Sequence, residues 1–277
     1  LYAYGFLTRE LHALLHPTRA AGLTKTERRV LEVVRERGRV HPKDLAVLGI
    51  RRRVNAWGGK SKATTMALDE LQHRGLIRVV AREAGIRVYE PTPERPPGSK
   101  AGLRRLVLAI AHILAPAPEA SLRRAVGALR RLGDPRAALK ELLADGTLER
   151  HVVNGEAWLT PPRALPEVPR VVRFLAPFDP VVWDRARFER LWGWEYRFEA
   201  YTPIPKRVRG YYALPLLWVD RVIGWVNAKV EDGKLAVEPG FVGTKPRGPE
   251  FRREFDAELA RFEHFLGSGL RGRAYRR

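Results

Sequence analysis

One pattern occurs twice along the chain, and it restricts the possible folds more than any other feature. Ala67-Leu68-Asp69-Glu70-Leu71 leads to Gly75-Leu76-Ile77, and Ala138-Leu139-Lys140-Glu141-Leu142 leads to Gly146-Thr147-Leu148. Each is the end of an amphipathic helix, a glycine stop and the start of a strand. Gly75 and Gly146 stand 71 positions apart. A second strand follows in each copy, after Glu83-Ala84-Gly85 in one and after Asn154-Gly155, a strong hairpin turn, in the other. A helix-then-hairpin unit recurring at domain spacing predicts two modules of one design.

The first module, residues 23–92, reads as a winged helix. Thr24 and Glu27 have capping-box spacing, Val30, Leu31, Val33 and Val34 form an apolar side, and Gly38 stops the helix. A short helix is predicted from Pro42 to Leu48, and a third from Ser61 through Met66, Leu68, Leu71 and Gln72 to Gly75. Strands over Leu76–Ala81 and Ile86–Glu90 complete the order a winged helix requires. Ahead of it, residues 1–22 form a helical segment with a Leu7, Leu11, Leu14 and Leu15 stripe, ending at Pro17. Residues 93–99 lie in a Pro-rich linker, and residues 100–163 make the second winged helix.

Residues 164–277 differ in character. Five of the seven Trp fall between Phe174 and Val230. Trp194, Tyr196, Phe198 and Ala200 alternate with Glu195, Arg197, Glu199 and Tyr201, the period of a half-buried strand. On that reading Glu195 and Glu199 flank Arg197 on a salt-bridged outer face. Further strands are expected at Gly210–Val219, Arg221–Val230 and Lys234–Glu238, with a last helix from Pro249 to Gly267. The expectation is an α+β chain: tandem winged-helix domains, then a small antiparallel β-barrel-like domain with a C-terminal helix.

Composition points to a partner. Lys and Arg number 51 against 31 Asp and Glu, a formal charge of +20. Such a surface attracts polyanions, with double-stranded DNA, possibly damaged, the first candidate. Arginine richness with a single Met and no Cys also fits a heat-loving source. Absence of Cys and scattered His predict no metal site, and no small-molecule cofactor is expected. No apolar run approaches a membrane span, so a monomeric, cytoplasmic, nucleoid-associated protein is expected. The first residue, Leu1, suggests an unusual start codon or a missing N-terminal piece.

Candidate DNA contacts follow the cations. Arg51, Arg52, Arg53, Lys60, Lys62, Thr64 and Thr65 surround the start of the third predicted helix, where a recognition helix meets phosphates and base edges. Arg82 and Arg87 lie on the hairpin. Lys206, Arg207 and Arg209, beside Tyr211 and Tyr212, form a loop suited to gripping phosphate and stacking on an opened base. Arg51–Arg53 read equally as a solvated turn, and Tyr212 as packing.

Phe174-Leu-Ala-Pro-Phe-Asp-Pro-Val-Val-Trp-Asp-Arg, Tyr196-Arg-Phe-Glu-Ala-Tyr-Thr-Pro, Lys206-Arg and Gly210-Tyr-Tyr-Ala-Leu-Pro together resemble the C-terminal region of the YcaQ/AlkZ-type winged-helix DNA glycosylases. The segment from Leu7 to Leu15 is a weaker copy of the one preceding the first winged helix there. The resemblance implies excision of bulky alkylated or crosslinked bases from duplex DNA by tandem winged helices and a β-barrel around a basic channel. It also implies a Gln-x-Gln or Gln-x-Asp catalytic element, which this sequence lacks: its one glutamine, Gln72, is followed two places on by Arg74. Glycosidic cleavage needs a group to orient water and offset sugar cation charge, and Asp179 and Asp184 are the candidate substitutes. Both also read as helix caps or partners of Arg185 and Arg187. Three readings therefore stand: a duplex-DNA-binding protein of the repair-glycosylase type, an active glycosylase, and a transcription regulator using the first winged helix.

Overall fold

A computed structural model describes residues 8–16, 21–49, 52–54, 60–93, 99–162, 167–267 and 273–275. They belong to two compact units, Leu1–Ile110 with Ala125–Gly146, and Ala111–Arg124 with Thr147–Arg277. The fold is mixed α/β, with sheets that are antiparallel except for one parallel strand pair at the edge of the larger sheet, and a C-terminal helix.

In the first unit, α1 (Arg9–Leu15) starts at Thr8, whose hydroxyl accepts from the Leu11 N–H. The residues before Thr8 and Pro17 itself lie outside the described residues. α2 (Lys25–Arg37) carries the expected capping box: Glu27 accepts from Thr24 N at 2.9 Å, and Thr24 accepts from Glu27 N at 3.2 Å. The Pro42–Leu48 helix is a 3-10 helix. The third helix starts later than predicted. Ser61 sits in a strand, because β1 (Arg52–Val54) pairs antiparallel with β2 (Lys60–Lys62), and α3 (Ala63–His73) begins only after it. β3 (Ile77–Glu83) and β4 (Ile86–Pro91) follow as predicted, turning at Ala84 and Gly85, both with positive φ. Val40 exchanges backbone hydrogen bonds with Tyr89 at 2.8 and 2.9 Å, adding a bridge to the hairpin. Val30, Val34, Leu45, Leu68, Leu71 and Ile77 fill the core below.

The remaining described parts of this unit tie back to α1 and α3. The chain enters α4 (Lys100–Leu114), where Gly102 is packed so that a Cβ would stand 3.1 Å from Leu14. Arg105 pairs with Glu10. The Arg131 guanidinium, on a 3-10 helix (Gly127–Leu132), donates to the carbonyls of Leu15 and His73 at 3.2 and 3.4 Å. His16 lies against the same His73 carbonyl at 3.3 Å, and burial takes its pKa down to about 4. After Asp134, which caps α6 (Pro135–Ala144), Arg104 and Lys100 pair with Asp145 and Glu141.

The second unit holds two sheets. β5 (Ala117–Pro118), followed by α5 (Glu119–Val126), joins the hairpin of β6 (Glu149–Val153) and β7 (Glu156–Thr160) in the order β5-β7-β6. Asn154 and Gly155 make the turn, at φ 51° and 76°. The larger sheet has the order β12-β11-β10-β9-β8, from β8 (Val172–Phe174), β9 (Leu214–Trp218), β10 (Arg221–Glu231), β11 (Lys234–Phe241) and β12 (Arg273–Tyr275). It does not close: β8 and β12 stand at its two ends. In place of barrel closure, α9 (Pro249–Leu266) covers one face, laying Phe251, Phe255 and Leu259 on Val172, Leu216, Val226, Leu235 and Val237. Burying a side chain of this size is worth about 1.5–3 kcal/mol, so the helix is integral to the unit.

Candidate nucleic-acid interface

The predicted strand over Trp194–Tyr201 is absent, although its alternation is half right. Trp194 and Tyr196 are buried, and Glu195 and Arg197 are exposed, paired at 3.2 Å. Backbone ladders do not fasten this segment; side chains do. Trp194 Nε1 donates to the Val222 carbonyl at 2.9 Å, and Tyr196 Oη donates to the Ala213 carbonyl at 2.7 Å. Burial pushes the Tyr196 phenol up to about 12, so it stays a donor. Phe188 of α8 (Arg185–Trp192) packs edge-on to Trp194, which completes an aromatic base.

The alternation then inverts. Glu199, expected on the outer face, is only 3% exposed. Its carboxylate accepts from three consecutive backbone N–H groups: Val208 at 3.0–3.1 Å, Arg209 at 2.9 Å and Gly210 at 3.0 Å. Burial alone would raise this carboxyl; the three N–H donors, Arg209 first, outweigh it and hold the group below the usual carboxylate range. Thr202-Pro203-Ile204-Pro205 explains the inversion, since two prolines cannot donate to a ladder and the chain turns into a 3-10 helix (Ile204–Lys206). Gly210 must be glycine here. Its φ is 124°, and a Cβ would stand 2.5 Å from Asn227 Oδ1. Asn227 Nδ2 in turn donates to the Arg209 carbonyl at 2.6 Å.

A buried carboxylate thus fixes a loop whose outer side is aromatic, aliphatic and basic. Tyr201 is 93% exposed, Ile204 76%, Val208 77% and Tyr211 58%. Phe198 meets Phe178 and Tyr212 edge-on, with centroids at 5.3 and 5.2 Å. Lys206 is exposed. Arg207 is held by a bond from its Nε to the Thr202 carbonyl at 2.8 Å and lies 5.0 Å from the Tyr211 ring centre. Such a surface offers π faces and apolar tips for bases beside cations for phosphates. Tyr212, expected to pack, does so edge-on against Phe198 while remaining half exposed.

Other predicted contacts fare differently. Arg209 faces inward, its guanidinium 5.1 Å from the Trp194 ring and 5.5 Å from the Trp225 ring, so it braces the loop. Thr64 is 5% exposed in the core-facing turn of α3, which removes it from the contact set, whereas Thr65 is exposed. Arg87 pairs with Asp69 at 2.9 Å, tying hairpin to α3, and Arg82 donates to the Gly85 carbonyl at 3.1 Å. Arg51 lies outside the described residues; Arg52, Arg53, Lys60 and Lys62 lie on β1 and β2, not on a helix. Asp179 caps α7 (Pro180–Trp183) through Val181 N at 2.8 Å, and Asp184 caps α8 through Arg187 N at 3.2 Å. Both carboxylates are therefore committed as caps, and nearby Arg187, its pKa lowered by burial, donates to the Pro180 and Pro116 carbonyls.

Sequence reasoning misses Glu199, Ile204 and Val208. The proline pair after Tyr201 is the available signal that the strand period has ended. Among the described residues no group of His, Asp and Glu is arranged to hold a metal ion, and no helix is long and apolar enough to cross a membrane.

Two comparisons bear on this arrangement. A solved structure, the Streptomyces sahachiroi DNA glycosylase AlkZ, matches 96% of this chain and 74% of its own, with a TM-score of 0.57 and 16% identity. That likeness concerns the fold. A family model described as DNA glycosylase AlkZ-like matches residues 6–265, nearly the whole sequence. The chain therefore belongs to the AlkZ-like family of DNA glycosylases.

Proposed function

We propose that the protein binds duplex DNA as a repair protein of the glycosylase type, acting at bulky alkylated or crosslinked bases. The observation that carries the reading is the Glu199-held loop. It presents Lys206 and Arg207 together with Tyr201, Tyr211, Ile204 and Val208. Apolar and aromatic tips flanked by cations suit a damaged site, where a base is already poorly stacked and costs least to displace. The charge of +20 supplies attraction that does not depend on sequence. Tandem winged helices are the natural reading of the two helix-then-hairpin copies. Support comes from the order of α2, the 3-10 helix, α3 and the β3–β4 hairpin, and from the Val40–Tyr89 bridge.

Gel-shift titration of duplexes with and without an alkylated purine, at low and moderate salt, tests the binding. Salt-sensitive association is expected, tighter on the damaged duplex; no association at low salt overturns the reading. Incubation with the damaged duplex, followed by alkaline cleavage, reports N-glycosidic hydrolysis directly. Strand breaks at the lesion are expected from an active enzyme, and their absence across several alkylated bases would leave a damage-binding protein without base release.

A further inference from the structure

The passage from β11 into α9 carries a cleft of about 390 Å³. Its floor is apolar: Pro239 and Phe241 come from the end of β11, and Phe251 and Phe255 from the first turns of α9. These rings already meet, with centroids 6.1 Å apart for Phe241 and Phe251 and 5.8 Å apart for Phe251 and Phe255. The rim is basic. Lys245, Arg247 and Arg252 line it and are exposed, and none of the three forms an ion pair among the described residues. Lys245 Nζ stands 5.6 Å from the Phe241 ring centre, which places its charge against the apolar floor. The glutamates that open α9 do not offset these cations. Glu250 pairs with Arg170 at 2.6 Å, and Glu254 with Arg253 at 3.3 Å. Asp256, one turn along α9 from Arg252, is the acid in the lining. Charge along the cleft therefore runs from basic at the connecting segment to acidic on the helix.

We propose that this cleft docks an acidic peptide segment of a partner protein, with one aromatic side chain in the cleft and carboxylates on Lys245, Arg247 and Arg252. An aromatic ring entering from outside extends the phenylalanine cluster edge-on, and a recessed anchor of this kind supplies most of the affinity of a small interface. The rim cations fix orientation and speed encounter. Charge complementarity selects a peptide over a nucleic-acid strand. A strand carries a phosphate at every step and would lay one beside Asp256, whereas a peptide can place acids beside the cations and neutral backbone beside Asp256. Phosphate contacts also need no recessed phenylalanine floor. The Glu199-held loop differs in this respect: there Tyr201 and Val208 project into solvent, while here Phe251 and Phe255 are buried at the bottom of a depression. The docking site stands independently of the duplex-binding reading, since it uses other residues and another partner.

Fluorescence anisotropy of the full chain with a labelled peptide, a run of aspartates followed by a phenylalanine, tests the proposal without DNA. Saturable, salt-sensitive binding is expected. Replacing the peptide's phenylalanine by alanine should weaken it about tenfold or more, a change that leaves the protein untouched. The double variant Lys245→Glu with Arg252→Glu should weaken the intact peptide at least about tenfold, with thermal melting confirming that the variant is folded. Both positions are exposed, and Lys245→Ala with Arg252→Ala serves as the milder pair if charge reversal disturbs the fold. Three results would each overturn the proposal: no saturable binding, an alanine peptide that binds as well as the phenylalanine one, or a double variant that keeps full peptide affinity. Duplex gel shifts on the same double variant complete the test. Duplex affinity held within about twofold while peptide binding is lost supports a separate protein-docking site. Duplex affinity lost while peptide binding persists makes the cleft a nucleic-acid contact, and the proposal falls.

Discussion

The β3–β4 hairpin region of the first unit and the Tyr201–Tyr212 loop of the other are similar as strings of residues, both rich in basic residues beside glycine. They use their charge in opposite ways. In the hairpin and its surroundings, Arg87 pairs with Asp69, Arg78 with Glu90, Arg74 with Glu70 and Arg39 with Glu83. In the loop, acidic charge is withdrawn beneath the surface. Glu199 binds backbone N–H groups rather than side-chain cations, so Lys206 and Arg207 keep outward charge. Counting cations therefore overstates what the hairpin region can offer a phosphate and understates the loop. What a cation can bind depends on what its neighbours already take.

The strongest test of this contrast is Glu199→Gln. The substitution preserves size but sets an amide against three N–H donors, so part of the loop loses its acceptor. A stability loss on the order of 2–4 kcal/mol is expected, measured by urea denaturation of the second unit's aromatic fluorescence. Duplex affinity should fall at least about tenfold, because a loosened loop must be ordered on binding. Unchanged stability would mean that the loop is fixed by Arg209 between its two indole rings and not by the carboxylate.

Acid should separate the two regions as well. His16 in the first unit is buried and neutral, with its pKa at about 4 against an ordinary value near 6.5. The unfolded chain takes the proton first. The stability is thus complete above about pH 6.5, falls as the pH drops towards 4, and is flat below that. A loss of about 1–2 kcal/mol by pH 5 is expected for the first unit, and His16→Asn should abolish the pH dependence in that range. Glu199 behaves differently. Its lowered pKa gives stability that is fully present above the ordinary carboxylate value of about 4.3, and lost only as pH falls through the lower folded value. Hydrogen exchange at pH 5 should therefore show α3 loosening near His73 while the Val208, Arg209 and Gly210 amides remain protected.

How much is legible in the sequence follows from the same physics. Local signals hold: the Thr24–Glu27 capping box, the Ala84-Gly85 and Asn154-Gly155 turns, and the Pro249–Leu266 stripe all depend on near neighbours. Signals that need a distant partner do not. Trp194–Tyr201 alternates like a strand, yet among the described residues no strand pairs with it, and its fastening to Val222 and Ala213 is invisible in a linear pattern. The β1–β2 ladder delays the third helix for the same reason, through cross-strand pairing. Strand spacing suggests barrel closure, but spacing does not specify whether the sheet ends meet, and an amphipathic α9 fills that role. The candidate site is half visible. Lys206, Arg207 and Tyr211 stand out in composition, whereas Glu199 is misread because burial, not sequence neighbourhood, gives a carboxylate its purpose.

The smallest expected effect discriminates most finely. Lys206→Ala removes one exposed ammonium from the loop, and Arg87→Ala removes one paired guanidinium from the first unit. If Lys206 meets a phosphate, its loss should weaken binding to every duplex alike and reduce the slope of log affinity against log salt by about 1. Arg87→Ala should leave that slope within error and instead lower the first unit's stability by about 1 kcal/mol, since Asp69 and hairpin packing lose a half-buried partner. Fluorescence anisotropy across a salt series reads the first effect, and denaturation of each variant reads the other. Equal slope changes in both variants would erase the distinction between paired and outward cations, and the contact surface would then have to extend over the first unit's hairpin.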